Sequence, residues 1–116
     1  GYQPWDQTRV RAWAERIGVN TLMVVDRIFE SVPIIEQGLD PALAVLRLSR
    51  RYSHARLEAA CTLALRSAVY SPRYAHIRPI LDSGQDKITH HDEMATISQD
   101  VGGYVRGATY YATRSN

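Results

Sequence analysis

The sequence is poor in the features that mark secreted and membrane proteins. Its 116 residues include one cysteine, Cys61, so no internal disulfide can form, as expected of a cytoplasmic protein. No apolar run approaches the roughly 20 residues that cross a bilayer, and the first residues do not form a signal peptide. We therefore expect no membrane partner. The chain begins at Gly1 instead of methionine, which favours a piece of a longer protein.

The patterns of common catalytic centres are also missing. The sequence has no paired carboxylates suited to acid–base work and no nucleophile beside a base. The run HHDE at residues 90–93 contains metal-binding side chains, but a zinc site needs three or four converging ligands, and His54 and His76 lie elsewhere. We interpret residues 90–93 as a polar linker, with a small metal-dependent enzyme as the alternative. No catalytic residue, metal or cofactor is expected in this chain.

Lysine is nearly absent, and arginine takes its place. Thirteen of the 14 basic residues are arginine, and only Lys87 is lysine. A GC-rich genome explains this bias without any function. Bidentate recognition of phosphate or carboxylate explains it functionally, because the planar guanidinium suits both groups. The net charge of +2 is too small to indicate nucleic-acid binding by itself.

Four arginines nevertheless cluster in one short stretch. Arg47, Arg50 and Arg51 stand at i, i+3 and i+4, so they share one face of a predicted helix, and Arg56 begins the next helix. Such a face is able to bind DNA phosphates with a salt-dependent affinity. The alternative is a solvated face that Glu58 and the helix C-terminus partly neutralise. These four arginines are the candidate DNA-binding residues.

Apolar residues recur with helical spacing through residues 5–84 and predict an all-α fold. We expect an antiparallel array of about five short helices, followed by a polar linker and an aromatic tail in residues 85–116. Nothing in residues 1–84 alternates with period two, so strands are not expected. Pro79 is expected to kink or end the last helix. The predicted helices cover residues 6–18, 20–31, 40–52, 53–68 and 71–83, with caps at Asn20, Asp40, Ser53 and Ser71.

The clearest apolar stripe lies in the predicted fourth helix. We expect Cys61 within it to be a small core residue and not a reactive thiol. Trp13 falls on the stripe of the first helix, and Trp5 is expected to staple the chain that enters this helix. The members of the fourth stripe are Leu57, Ala60, Cys61, Ala64, Leu65 and Ala68.

Aromatic residues return close to the end of the chain, in a segment without helical periodicity. Aromatic side chains in such a tail usually have a surface to dock on. They either bind a partner or fold back onto the same domain, and the sequence leaves both interpretations open. The candidate partner-docking residues are Tyr104, Val105, Arg106, Gly107, Tyr110 and Tyr111.

Several segments together resemble the C-terminal region of IstA-type transposases, the large subunits of bacterial insertion sequences that act with an IstB-type AAA+ ATPase. The longest is RLSRRYSHARLEAACTLALRSAVYSPRYAHIRPIL at residues 47–81, and ILDSGQD at 80–86 is similar to the family's ILxxGxD helix end. VRGATYY at residues 105–111 resembles the family's RGxxYY element. The resemblance covers nearly the whole chain and rests on the order and spacing of these segments.

This resemblance implies a non-catalytic helical domain of a DDE transposase. The family's RNase H-like catalytic domain, which uses Mg, and its helix-turn-helix modules precede this region and are absent from the chain. The implied role is assembly of transposase subunits on transposon ends and docking of the helper ATPase through the aromatic tail. The implied partners are other transposase subunits, an IstB-type ATPase and, through the parent protein, transposon-end DNA in the bacterial cytoplasm. A DNA-backbone-binding module that uses the four clustered arginines is the alternative.

Overall fold

Five α-helices form the part of the chain that a computed structural model describes, residues 4–85 and 87. No strand occurs in this part of the chain, so the predicted all-α fold is confirmed. None of these helices combines the length and the apolar character that crossing a membrane requires. The helices are α1 (Gln7–Ile17), α2 (Val19–Glu30), α3 (Glu36–Arg51), α4 (His54–Leu65) and α5 (Tyr74–Ser83).

The core forms where the apolar stripes of the helices meet. The central helix is α2, which packs against α1, α3 and α4, and α5 closes the array against α3 and α4. The predicted stripe of α1 is buried, including Trp13, and the rings of Trp5 and Trp13 stack with their centroids 5.4 Å apart. Leu57 and Cys61 of α4 are completely buried, so the predicted core position of the cysteine is confirmed.

The N-terminus of α2 is capped by a side chain from α4. The sequence predicts Asn20 as the N-cap, but α2 begins at Val19, directly after Gly18. Glu58 Oε2 accepts hydrogen bonds from the backbone and side-chain nitrogens of Asn20 at 2.9 and 3.0 Å. Glu58 Oε1 accepts from the backbone N–H and the hydroxyl of Thr21, each at 2.9 Å. Glu58 is therefore engaged at this positive helix end and not with the clustered arginines.

The start of α3 also differs from the prediction. The helix does not begin at the Asp40–Pro41 pair but at Glu36, so Pro41 lies inside it. Gly38 explains the early start, because it is buried against Phe29 so closely that a Cβ on it would lie 2.7 Å from Phe29 Cδ1. This packing of α3 on α2 fixes a helical turn ahead of the proline, and tertiary contact overrides the local preference.

Local hydrogen bonds shift the other predicted boundaries. The predicted α4 continues to Ala68, but the helix ends at Leu65, because the Ser67 hydroxyl donates to the Ala64 carbonyl at 2.7 Å and competes with the next turn. The predicted cap of α5 at Ser71 is also wrong, since α5 begins at Tyr74.

The actual α5 start uses a different side chain. The Arg73 N–H donates to His76 Nδ1 at 3.0 Å, and this bond fixes the first turn. The helix continues through Pro79, so the predicted early end does not occur there. Gly84 ends the helix as predicted, in the left-handed conformation with φ of 79°.

Candidate functional site

A sharp turn between α3 and α4 gathers the four candidate arginines. Arg47, Arg50 and Arg51 are exposed on the last two turns of α3. Ser53 then holds a positive φ of 132° and caps α4, its hydroxyl accepting the Arg56 N–H at 3.2 Å. Because Arg56 lies in the first turn of α4, the end of one helix and the start of the next present their arginines together.

Tyr52 organises two of these arginines. The guanidinium carbons of Arg51 and Arg56 lie 5.7 and 5.0 Å from the centroid of its ring. Arg56 is half-buried, and its Nη2 donates to the Leu81 carbonyl near the end of α5 at 2.8 Å. Arg56 is therefore partly committed to joining α4 to α5. Arg47, by contrast, makes no hydrogen bond or ion pair with any residue in the described part of the chain.

A second group of stacked side chains adjoins the arginines from α1. Arg50 lies over the Trp13 ring at 4.9 Å, and Trp13 stacks on Trp5. Arg9 lies over the Trp5 ring at 4.5 Å, and its Nη1 donates to the Pro4 carbonyl at 2.9 Å. These contacts link four side chains in the order Arg9, Trp5, Trp13 and Arg50. Cation–π contacts of this kind order a guanidinium while its N–H edges still face outward.

The other flank of the arginine cluster is formed by α5. The Tyr52 hydroxyl donates to Asp82, and Arg78 pairs with Asp82 at 3.3 Å between Nε and Oδ2. The hydrogen bond from Tyr52, and then the charge of Arg78, lower the pKa of Asp82. The contact with the Tyr74 hydroxyl, and then the charge of Asp82, raise the pKa of Arg78. Both groups are therefore charged at neutral pH.

We call these two groups of contacts, together with Arg47, the arginine–aromatic surface. Arginine carries most of its charge, and Asp82 is the carboxylate that contacts Tyr52 and Arg78. It has no nucleophile paired with a base. Guanidinium groups ordered by aromatic rings suit the binding of phosphate or carboxylate through charge-assisted hydrogen bonds. The surface comprises Trp5, Arg9, Trp13, Arg47, Arg50, Arg51, Tyr52, Arg56, Tyr74, Arg78 and Asp82.

Sequence reasoning located part of this surface and missed the rest. It singled out the arginines from 47 to 56, which are close along the chain. Trp5, Arg9, Arg78 and Asp82 join them only through tertiary packing, and no local spacing connects them to α3. A partial indication was present in α1, where Arg9 and Trp13 are four residues apart and share a helix face.

Two other predicted groups lie outside the described residues. These are the run at residues 90–93 and the candidate partner-docking residues between Tyr104 and Tyr111. Within the described ranges, no three side chains of His, Cys, Asp or Glu come together as a metal site would require.

An apolar groove also lies between α4 and α5, away from the arginine–aromatic surface. Its volume is 550 Å³, and it reaches Gln85. The groove is lined by Leu63, Ala64, Ser67, Val69, His76, Ile80 and Gln85.

Comparison with known proteins finds relatives over nearly the whole chain. A Sinorhizobium fredii protein named "Putative transposase y4uI" is 32% identical over 110 residues, which are 95% of this chain and 21% of that protein. A Pseudomonas fluorescens protein named "Putative transposase for insertion sequence IS1162" is 32% identical over 111 residues, 95% of this chain and 20% of its own length. The homologues of this chain are named as transposases.

The relatives match this chain over a similar share of their own lengths. A second S. fredii relative, "Putative transposase y4bL/y4kJ/y4tB", is 36% identical over 98 residues, 84% of this chain and 18% of that protein. The chain thus spans about a fifth of the length of the curated relatives it matches. No family profile and no solved structure matches it.

Proposed function

We propose that this chain is a non-catalytic helical domain of an insertion-sequence transposase of the IstA type. In this proposal it supports the assembly of transposase subunits on the transposon ends, and its arginine–aromatic surface binds the DNA backbone there. The names of the relatives support the transposase assignment, and their greater length supports a catalytic domain elsewhere in the parent protein. Magnesium would act in that domain and not in this chain.

The proposed DNA binding is supported mainly by the clustering of arginines from four helices on one surface. Arg47, Arg50 and Arg51 are exposed, and their guanidinium groups make no hydrogen bond to the described residues, so these donors remain available. Phosphate contacts supply most of the non-specific affinity of proteins for DNA, and planar guanidinium groups bind phosphate oxygens bidentately. A surface of this composition fits a DNA backbone better than it fits an apolar protein interface.

The test measures the binding of the chain to a fluorescein-labelled duplex of about 20 base pairs by anisotropy. The double variant Arg47→Gln and Arg51→Gln removes two charges from the surface. The control, Arg27→Gln and Arg66→Gln, removes the same charge at the C-terminal ends of α2 and α4, outside the arginine–aromatic surface. We expect the first variant to weaken binding about 10-fold or more and the control to weaken it much less. Equal losses in both variants would contradict a specific surface.

We propose that the tail, with Tyr104, Tyr110 and Tyr111 at its centre, docks an IstB-type AAA+ ATPase, as the resemblance implies. A chain lacking residues 102–116 is expected to keep its helical circular dichroism and to lose binding to the ATPase of the same insertion sequence. The full chain carrying Tyr110→Ala and Tyr111→Ala should show the same loss. Unchanged ATPase binding in both variants would refute tail docking.

A further inference from the structure

The two tryptophans of the arginine–aromatic surface are largely covered by neighbouring side chains. Trp5 carries Arg9 at 4.5 Å and Trp13 at 5.4 Å, and Trp13 carries Trp5 and Arg50. Trp13 is also only 7% exposed. Proteins that bind unpaired bases by stacking need open aromatic faces, and here both tryptophans are already covered.

The N–H donors of Arg50 and Arg51, unlike the tryptophan rings, are not occupied by other described residues. The guanidinium of Arg50 lies over the Trp13 ring and makes no hydrogen bond to any residue of the described part. Its N–H groups are therefore able to donate to phosphate oxygens, two of them to one phosphate. The same holds for Arg51, whose guanidinium lies over Tyr52. The rings therefore hold the arginines in place, which lowers the entropy cost of binding through them.

We infer that this surface, resting on the DNA-binding function proposed above, recognises the phosphodiester backbone alone and does not stack or read bases. Its ligand class is any DNA strand or duplex with a suitable run of phosphates. Trp5 acts as a positioning residue: it contacts Arg9 directly, and it packs on Trp13, over which Arg50 lies. Arg51 and Arg56 both lie over the ring of Tyr52, which extends the same arrangement to α4.

The two tryptophans provide a built-in reporter, because the sequence contains two in all and both belong to the stack. The experiment compares three ligands of equal length: a duplex, a single strand and a single strand in which every nucleotide is abasic. Anisotropy gives the affinity, and intrinsic tryptophan fluorescence reports stacking. Trp5→Ala removes one layer of the stack. The matched control is Tyr70→Ala, which removes an exposed ring that stacks on Arg27 at 4.3 Å, away from this surface.

We expect the abasic and the base-bearing strands to bind within about 3-fold of each other, with little quenching, since a stacked base contributes about 5- to 150-fold. Trp5→Ala should weaken binding to both strands by the same factor, about 2- to 10-fold, and Tyr70→Ala should not. Strong preference for the base-bearing strand with quenching would overturn the inference and leave the proposed DNA binding intact. Unchanged affinity of Trp5→Ala for both strands would overturn the positioning role. Failure to bind all three ligands would overturn the proposed function itself.

Discussion

Replacing Gly18 with alanine tests how the fold is held at the junction of α1 and α2. Gly18 separates the two helices, and its φ of 167° is extended backbone that alanine also adopts. The obstacle is space, because a Cβ at this position would lie 2.2 Å from Glu58 Oε1. That carboxylate is fixed by its hydrogen bonds to Asn20 and Thr21, so it cannot move aside without losing them.

The expected cost follows from those hydrogen bonds. A hydrogen bond to a charged group contributes about 1.5–3 kcal/mol, and a buried donor left without a partner costs about 1–3 kcal/mol. Thr21 is completely buried, so its hydroxyl would become such a donor. We expect Glu58→Ala to lower the free energy of unfolding by about 3–5 kcal/mol, and Gly18→Ala to lower it by about 2–4 kcal/mol. Once Glu58 is truncated, Gly18→Ala should cost less than about 1 kcal/mol, because the clash is gone.

The measurement is a double-mutant cycle by urea unfolding, followed by far-ultraviolet circular dichroism. Glu15→Ala, on the exposed side of α1, is the control and should change the free energy of unfolding by less than about 0.5 kcal/mol. Additive effects of Gly18→Ala and Glu58→Ala would mean that the two changes act independently. The Glu58 side chain would then not be what excludes a Cβ at residue 18.

Three further predictions concern the core. Leu57→Ala should lower the free energy of unfolding in urea by about 2–5 kcal/mol, because Leu57 is completely buried. A loss below about 0.5 kcal/mol would mean that Leu57 lies on the exposed face of α4. Gly38→Ala should destabilise the fold by about 1–2 kcal/mol through its clash with Phe29, and Phe29→Leu should reverse part of this loss; a stabilised Gly38→Ala would contradict the close packing. Burial raises the pKa of Cys61 to about 12, so the native thiol should resist iodoacetamide at pH 8 and react on unfolding. As the unfolded thiol ionises near pH 8.5, this group's contribution to stability should fall as the pH rises from there to about 12, and Cys61→Ala should lack that loss.

The fold class was accessible from sequence because apolar spacing in the helices is strong. Val10, Trp13 and Leu57 sit on stripes whose burial the periodicity alone predicts. The helix ends were less accessible, because distant residues decide them. Gly38 starts α3 early by packing on Phe29, and Glu58 caps a helix 37 residues away in sequence.

The candidate site divides in the same way. Arg47, Arg50 and Arg51 are found from their spacing on one helix, since i, i+3 and i+4 are geometric neighbours. The residues that support these arginines cannot be found in this way. Trp5 and Asp82 join the surface only through the packing of the five helices. Sequence alone therefore identified a basic helix face, and the packed structure reveals the aromatic support that orders it.

We propose that the arginine–aromatic surface neutralises DNA phosphates. The salt dependence of duplex binding is the direct test of this neutralisation. Anisotropy titrations at several salt concentrations give the slope of log K against log salt. If three to five arginines contact phosphates, the slope should lie between about −2.7 and −4.5, and it should become shallower by about 2 in the Arg47→Gln and Arg51→Gln variant. No binding at low salt, or a slope that the variant does not change, would show that these arginines do not neutralise DNA phosphates.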